Sequence, residues 1–141
     1  MTTTFLAGKI IMSLATVIYG FVPALVDLNK THATNPLWVG HARFHVVWQV
    51  MIQAGIGLLS LYSLWIASIE PRLAINLSLV CGLIVLVSFQ INVFARKFYQ
   101  GTLADPNGVP PMFGGKVDTN VFAFTLGLII LLAGYSLARF A

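Results

Sequence analysis

Apolar residues run along this chain in four long blocks instead of alternating with polar ones. Residues 46–69, 73–95 and 119–138 carry no charged side chain, and residues 5–26 carry only Lys9. Each block reaches the roughly 20 residues that a helix needs to cross the hydrocarbon core of a bilayer. Period-two alternation, the mark of a barrel strand, is missing from all of them. Charges close the blocks at Asp27, Glu70, Arg96 and Arg139. The pattern predicts helices over 5–26, 44–69, 72–96 and 119–139. It describes one all-α domain over 1–141, a polytopic membrane protein built as a four-transmembrane-helix bundle.

The connections are unequal. Ser68-Ile69-Glu70-Pro71-Arg72 is a tight turn in which Pro71 suits the first position of a helix. The second and third helices therefore form an antiparallel hairpin. The other connections, 27–43 and 97–118, are long, and an even number of spans puts them on the same side. Asp105-Pro106-Asn107-Gly108 reads as a turn. No A-x-A site follows the first block, so it is expected to stay as a helix and not to be cleaved as a leader. Lys30, Arg43, Arg96, Lys97 and Lys116 lie on the long-loop side, against Lys9, Arg72 and Arg139 on the other. Positive-inside counting turns the long loops toward the cytoplasm.

Composition sharpens the class. Hydrophobic residues make up 58% of the chain and charged ones 9%, with a mean hydropathy of +0.89. Soluble domains carry about 25% charged residues, so the apolar excess faces lipid, and the bilayer is the expected partner. The net charge of +4 is too small and too scattered for a nucleic-acid surface. Cys81, the single cysteine, sits inside an apolar run and reads as packing.

Polar side chains are few, and they recur every fourth residue. His41, His45, Gln49 and Gln53 form one ladder; Ser88, Asn92 and Arg96 form a second; Tyr19, Pro23 and Asp27 form a third. Residues four apart on a helix lie about 40° round and 6 Å along, so each ladder is a slanting stripe. All three rise to the long-loop side. Unpaired polar groups are costly in hydrocarbon, so the stripes are expected to turn inward and enclose a polar pocket in one leaflet. The candidate ligand-binding residues are His41, His45, Gln49, Asn92, Arg96, Tyr19 and Asp27. Asp27 closes a helix, where the dipole opposes a carboxylate, and is expected to find a cationic partner in Lys30, Arg43 or Arg96.

Three roles fit the histidines. They can hydrogen-bond loop carbonyls at the headgroup level. They can bind or protonate a lipophilic, quinone-like molecule, since imidazole titrates near neutral pH. With His32, His41 and His45 can also ligate a metal ion, though no Glu lies between them as in the HExxH motif. A fourth possibility is a non-catalytic accessory subunit. Small residues at Ala54, Gly57, Ser60, Ala123, Gly127, Gly134 and Ala138 would then pack a homo-oligomer or a larger membrane complex. Neither the cofactor, quinone or metal, nor catalysis itself is fixed by these residues.

Four spans in 141 residues, with His41-Ala42-Arg43-Phe44-His45 opening the second, resemble the small DoxX-like bacterial membrane proteins. That resemblance implies a four-helix bundle in the bacterial inner membrane. It also implies a redox or lipophilic-ligand role, a few members being linked to quinone-dependent oxidation. Small multidrug exporters carry an acidic residue within their first helix; here none precedes Asp27. The four-span glutathione-using enzymes place Arg, Asn and Glu inside the bundle; here no Glu lies within a span and Arg occurs only at span ends.

Overall fold

The computed structural model describes residues 2–141. Its helices are α1 (Thr3–Gly20), α2 (Val22–Asp27), α3 (Gly40–Trp65), α4 (Pro71–Ala95) and α5 (Thr119–Arg139), with a 3-10 turn at Arg96–Tyr99 after α4. Among the described residues, four helical segments are long and apolar enough to cross a membrane, α1 and α2 together making the first. The fold is the all-helical membrane bundle that the hydrophobic blocks imply.

Helix ends fall where local chemistry places them. Thr2 Oγ1 accepts from Phe5 N at 3.1 Å and opens α1. Glu70 caps α4 through Leu73 N at 2.9 Å, with Pro71 in the first turn. Asp118 caps α5 through Val121 N at 3.0 Å. Each oxygen satisfies an amide that has no carbonyl partner inside its helix.

Two expectations need correction. The first span is not one helix over 5–26. It is interrupted at Phe21, whose φ of −118° stretches the turn although its ψ of −31° keeps it in the right-handed region and its N–H still reaches Val17 O. Pro23 has no N–H, and its ring crowds the carbonyl four residues back. α3 is displaced from the expected 44–69 by four residues toward the amino terminus at each end. Its first turn takes in His41 and Arg43. Its last turn closes when Ile66 N and Ala67 N both donate to Tyr62 O, at 3.0 and 2.9 Å. The apolar residues 66–69 form the turn before Pro71.

Around the bundle the order is α3, α1, α5, α4, with α3 and α4 closing the ring as the expected hairpin. α1 and α5 form the tightest seam. A Cβ built on Gly8 would lie 2.6 Å from Ala138 N, and one on Gly134 would lie 2.8 Å from Met12 N. α1 crosses α3 where Gly20 meets Gly57. On the diagonals α1 touches α4, but no Cα pair between α3 and α5 comes within 8 Å. That missing diagonal contact makes room for the site.

Below that room the core is closed. Met12, Tyr19, Ile75, Leu86 and Leu131 are completely buried. A chain of buried hydroxyls ties three helices together: Ser78 to Ser60 at 2.8 Å, Ser60 to Thr16 at 3.1 Å, and Thr16 to Tyr19 at 3.3 Å. Leu14, Leu58, Ile84, Phe94 and Ile129 are turned outward, as a lipid-facing surface requires.

Candidate functional site: a cavity pair at the long-loop end

Two cavities meet at the long-loop end of the bundle. The first, about 480 Å³, is a cleft between α3 and α4. Its outer wall is Trp48, Ile52 and Ile84, the last 54% exposed, so the cleft opens sideways onto the lipid-facing surface. Ile56 and Val85 line its inner side, and the exposed Ser88 lines its rim. The second, about 440 Å³, fills the gap between α3 and α5 beneath the long loops. Asp27, His32, Trp38, Asp105 and Asn120 belong to it alone. His45, Gln49, Gln53, Phe89 and Asn92 line both cavities and form their common wall.

That wall is where two of the stripes meet. α3 supplies His45, Gln49 and Gln53, and α4 supplies Asn92 with Ser88 one turn deeper. Gln53 lies midway along α3, about 20 Å of helix from its start at 1.5 Å per residue. It is 7% exposed, and its Oε1 has no hydrogen-bond partner among the described residues. Nearly all buried polar atoms find a partner, so this oxygen marks a place where something else supplies the donor. Tyr99, in the 3-10 turn, donates its hydroxyl hydrogen to Asn92 Oδ1. Asn92 thus keeps its NH₂ as the end that faces outward from that bond. Phe89 is held by stacking on Phe124 of α5, centroids 4.3 Å apart.

His41 and His45 pair with each other. Their Nε2 atoms are 3.0 Å apart and the rings meet edge to face. One nitrogen donates and the other accepts, the roles being set by the two tautomers. Only His45 reaches the cavities; His41 stands outside them as its hydrogen-bond partner. Trp48 packs beside His45 at 5.8 Å.

The other sequence candidates lie elsewhere or bond differently. Tyr19 is in the closed core with its hydroxyl against Thr16, and lines neither cavity. Arg96 also lines neither; its guanidinium turns back to Val93 O in the last turn of α4. Asp27 does face the second cavity, but its partner is none of Lys30, Arg43 and Arg96. His32 Nδ1 sits 3.3 Å from Asp27 Oδ1. The three-histidine metal set does not assemble. His32 is engaged by Asp27 and by Trp38, whose ring is 5.1 Å away, while His41 and His45 face each other. Among the described residues no group of three or more His, Cys, Asp or Glu side chains is placed to hold a metal ion.

Asp105 has more than a turn to make. It joins the two long loops over the second cavity. Trp38 Nε1 donates to its Oδ2 at 2.9 Å and the fully buried Asn35 donates to its Oδ1 at 3.4 Å. Asn107 N closes the local turn on Oδ1 at 3.1 Å. The Trp38 indole, followed by the Asn107 amide, holds the Asp105 carboxyl below the usual carboxylate range. Residues 67 and 70 apart meet here, and no periodic signal announces such a contact. Gln53 and Ser88, by contrast, are visible in the sequence as continuations of their stripes.

Among the described residues, no Lys or Arg lines either cavity. The arrangement therefore offers hydrogen bonds, an imidazole pair and two carboxylates, set beside an apolar cleft. No curated protein and no solved structure matches the chain. One family model does, over residues 11–140, and on that match the chain belongs to the family of unknown function DUF6640.

Proposed function

We propose that the protein binds a small lipophilic molecule with a polar head, quinone-like in its general build, which enters sideways from the bilayer between α3 and α4. The supporting observation is the common wall. His45, Gln49, Gln53, Phe89 and Asn92 border an apolar cleft that opens on the lipid face and a polar chamber under the loops. A tail would lie in the first against Ile52, Ile84 and Val85, while the head reaches the second. His45 would hold the head and exchange a proton with it, and His41 would orient the imidazole and share that proton. Gln49 and Asn92 would orient the head. The likeness of Arg43-Phe44-His45 to small DoxX-like proteins adds support for this ligand class. On the basic residues of the long loops, we assign that side to the cytoplasm of a bacterial inner membrane.

The test is quenching of Trp48 fluorescence by a decyl-substituted quinone and its quinol, titrated into protein in phosphatidylcholine nanodiscs. Saturable quenching is expected, lost in His45→Ala, which stays monodisperse and helical. Binding that survives His45→Ala unchanged contradicts the assignment of that residue. Failure of both probes to quench contradicts the ligand class.

A further inference from the structure

Resting on that lateral site, we infer that it selects head groups that donate hydrogen bonds and carry no negative charge, such as alcohols, quinols and amines, and refuses anionic amphiphiles. Two independent observations meet here. Gln53 Oε1 is an acceptor, buried and unpartnered, on the wall shared by both cavities. It calls for a donor, and a carboxylate or fully ionised phosphate has none to give. The second observation is the charge around the chamber. Asp27 and Asp105 border it, while Lys and Arg are missing from the lining of either cavity among the described residues. Arg96, which an anionic head would need, is turned to Val93 O. His32, which lines the chamber beside Asp27, is already engaged by it at 3.3 Å.

The chemistry distinguishes this site from a lipid-phosphate or fatty-acid pocket. An anion entering it would lose its hydration and meet two carboxylates with no guanidinium to compensate. A hydroxyl or ammonium group would instead satisfy Gln53 Oε1. An ammonium would also gain from the field of both carboxylates.

Three amphiphiles of one chain length separate the outcomes: dodecanol, dodecylamine and dodecyl phosphate, compared at equal membrane mole fraction in phosphatidylcholine nanodiscs. Each is read by displacement of the decyl quinol from Trp48. The alcohol and the amine are expected to displace it at least about tenfold better than the phosphate, a difference of about 1.4 kcal/mol. Gln53→Met keeps the side-chain length and removes the acceptor. With each affinity corrected for the variant's own affinity for the quinol, it should weaken the alcohol and the amine about threefold or more, as loss of one hydrogen bond does, and leave the phosphate unchanged. Circular dichroism and monodispersity confirm that the variant is folded. Equal displacement by all three, tighter binding of the phosphate, or an unchanged preference in Gln53→Met overturns the selectivity but leaves the lateral site standing. If the decyl quinol itself never binds, the site assignment fails together with the selectivity.

Discussion

The seam between α1 and α5 can be tested by placing one methyl group in each of two positions. At Gly8 an added Cβ would meet Ala138 N at 2.6 Å, Ala138 Cβ at 2.7 Å and Gly134 O at 2.7 Å. Carbon reaches its optimal contact near 3.5 Å, so the helices must part by nearly 1 Å. Two of the three atoms are backbone and cannot rotate away. Overpacking of this kind costs about 1–3 kcal/mol, and parting the seam places Gly8→Ala at the upper end. At Gly55, exposed on α3, the same Cβ meets nothing within 4 Å. There the change removes a glycine from a helix interior and is worth up to about 1 kcal/mol in stability. One substitution should thus act with opposite sign at two positions. Reversible unfolding in mixed micelles, monitored by circular dichroism, gives both values. Gly8→Ala as stable as the wild type, or Gly55→Ala as damaging as Gly8→Ala, would refute the seam and the bundle order derived from it.

Other outcomes rest on single contacts. The folded-state pKa of Asp105 is depressed, so the loop junction is complete above the ordinary carboxylate value of about 3.9 and is lost as pH falls through the lower folded value. The Trp38 indole N–H resonance should shift, and its exchange quicken, only in that acid range, with His32 as the neighbouring titratable group. Asp105→Asn should show the loosened indole at pH 7, and an indole insensitive to both changes would contradict the junction. Ser60→Ala leaves Thr16 and Ser78 without their shared hydroxyl and should cost up to about 2 kcal/mol, the range for polar contacts between membrane helices. A neutral result in the same unfolding assay would show that the hydroxyl chain does not stabilise the bundle. Cys81 is 7% exposed and should resist maleimide in the folded protein and label fully once unfolded. Rapid labelling of the folded form would contradict its packing.

Much of the fold is legible in the sequence where chemistry marks an end. α5 runs from its Asp118 cap to Arg139, as its apolar block and flanking charges indicate. α4 starts at Pro71 behind the Glu70 cap. α3 has no such marks, and hydropathy reports depth in the membrane instead of where the backbone stops coiling. Its residues 66–69 are apolar yet form the turn. The site is legible to the same degree. Spacing of four puts Gln49 and Gln53 on one face and Ser88 and Asn92 on another, and those faces meet. The third stripe divides between core and chamber. Tyr19, about 12 Å deeper by helical rise, enters the core, while Asp27 at the end of α2 reaches the chamber. Arg96 stays in helical register, its N–H still donating to Asn92 O, but its guanidinium turns back to Val93 O and not into the cavities. Asp105 binds Trp38 across 67 residues, a contact set by two irregular loops.

Every role proposed for the site requires a lipophilic molecule in the cleft between α3 and α4. Native mass spectrometry of protein purified gently from its own membrane, beside a Ser88→Trp variant, can detect that molecule. Ser88 lines the cleft and is exposed, so the indole fills the space without entering the core. The wild type should carry a small lipophilic adduct that Ser88→Trp lacks at an unchanged oligomeric state. A wild type without any adduct, or the same adduct on both proteins, would contradict occupancy of the cleft.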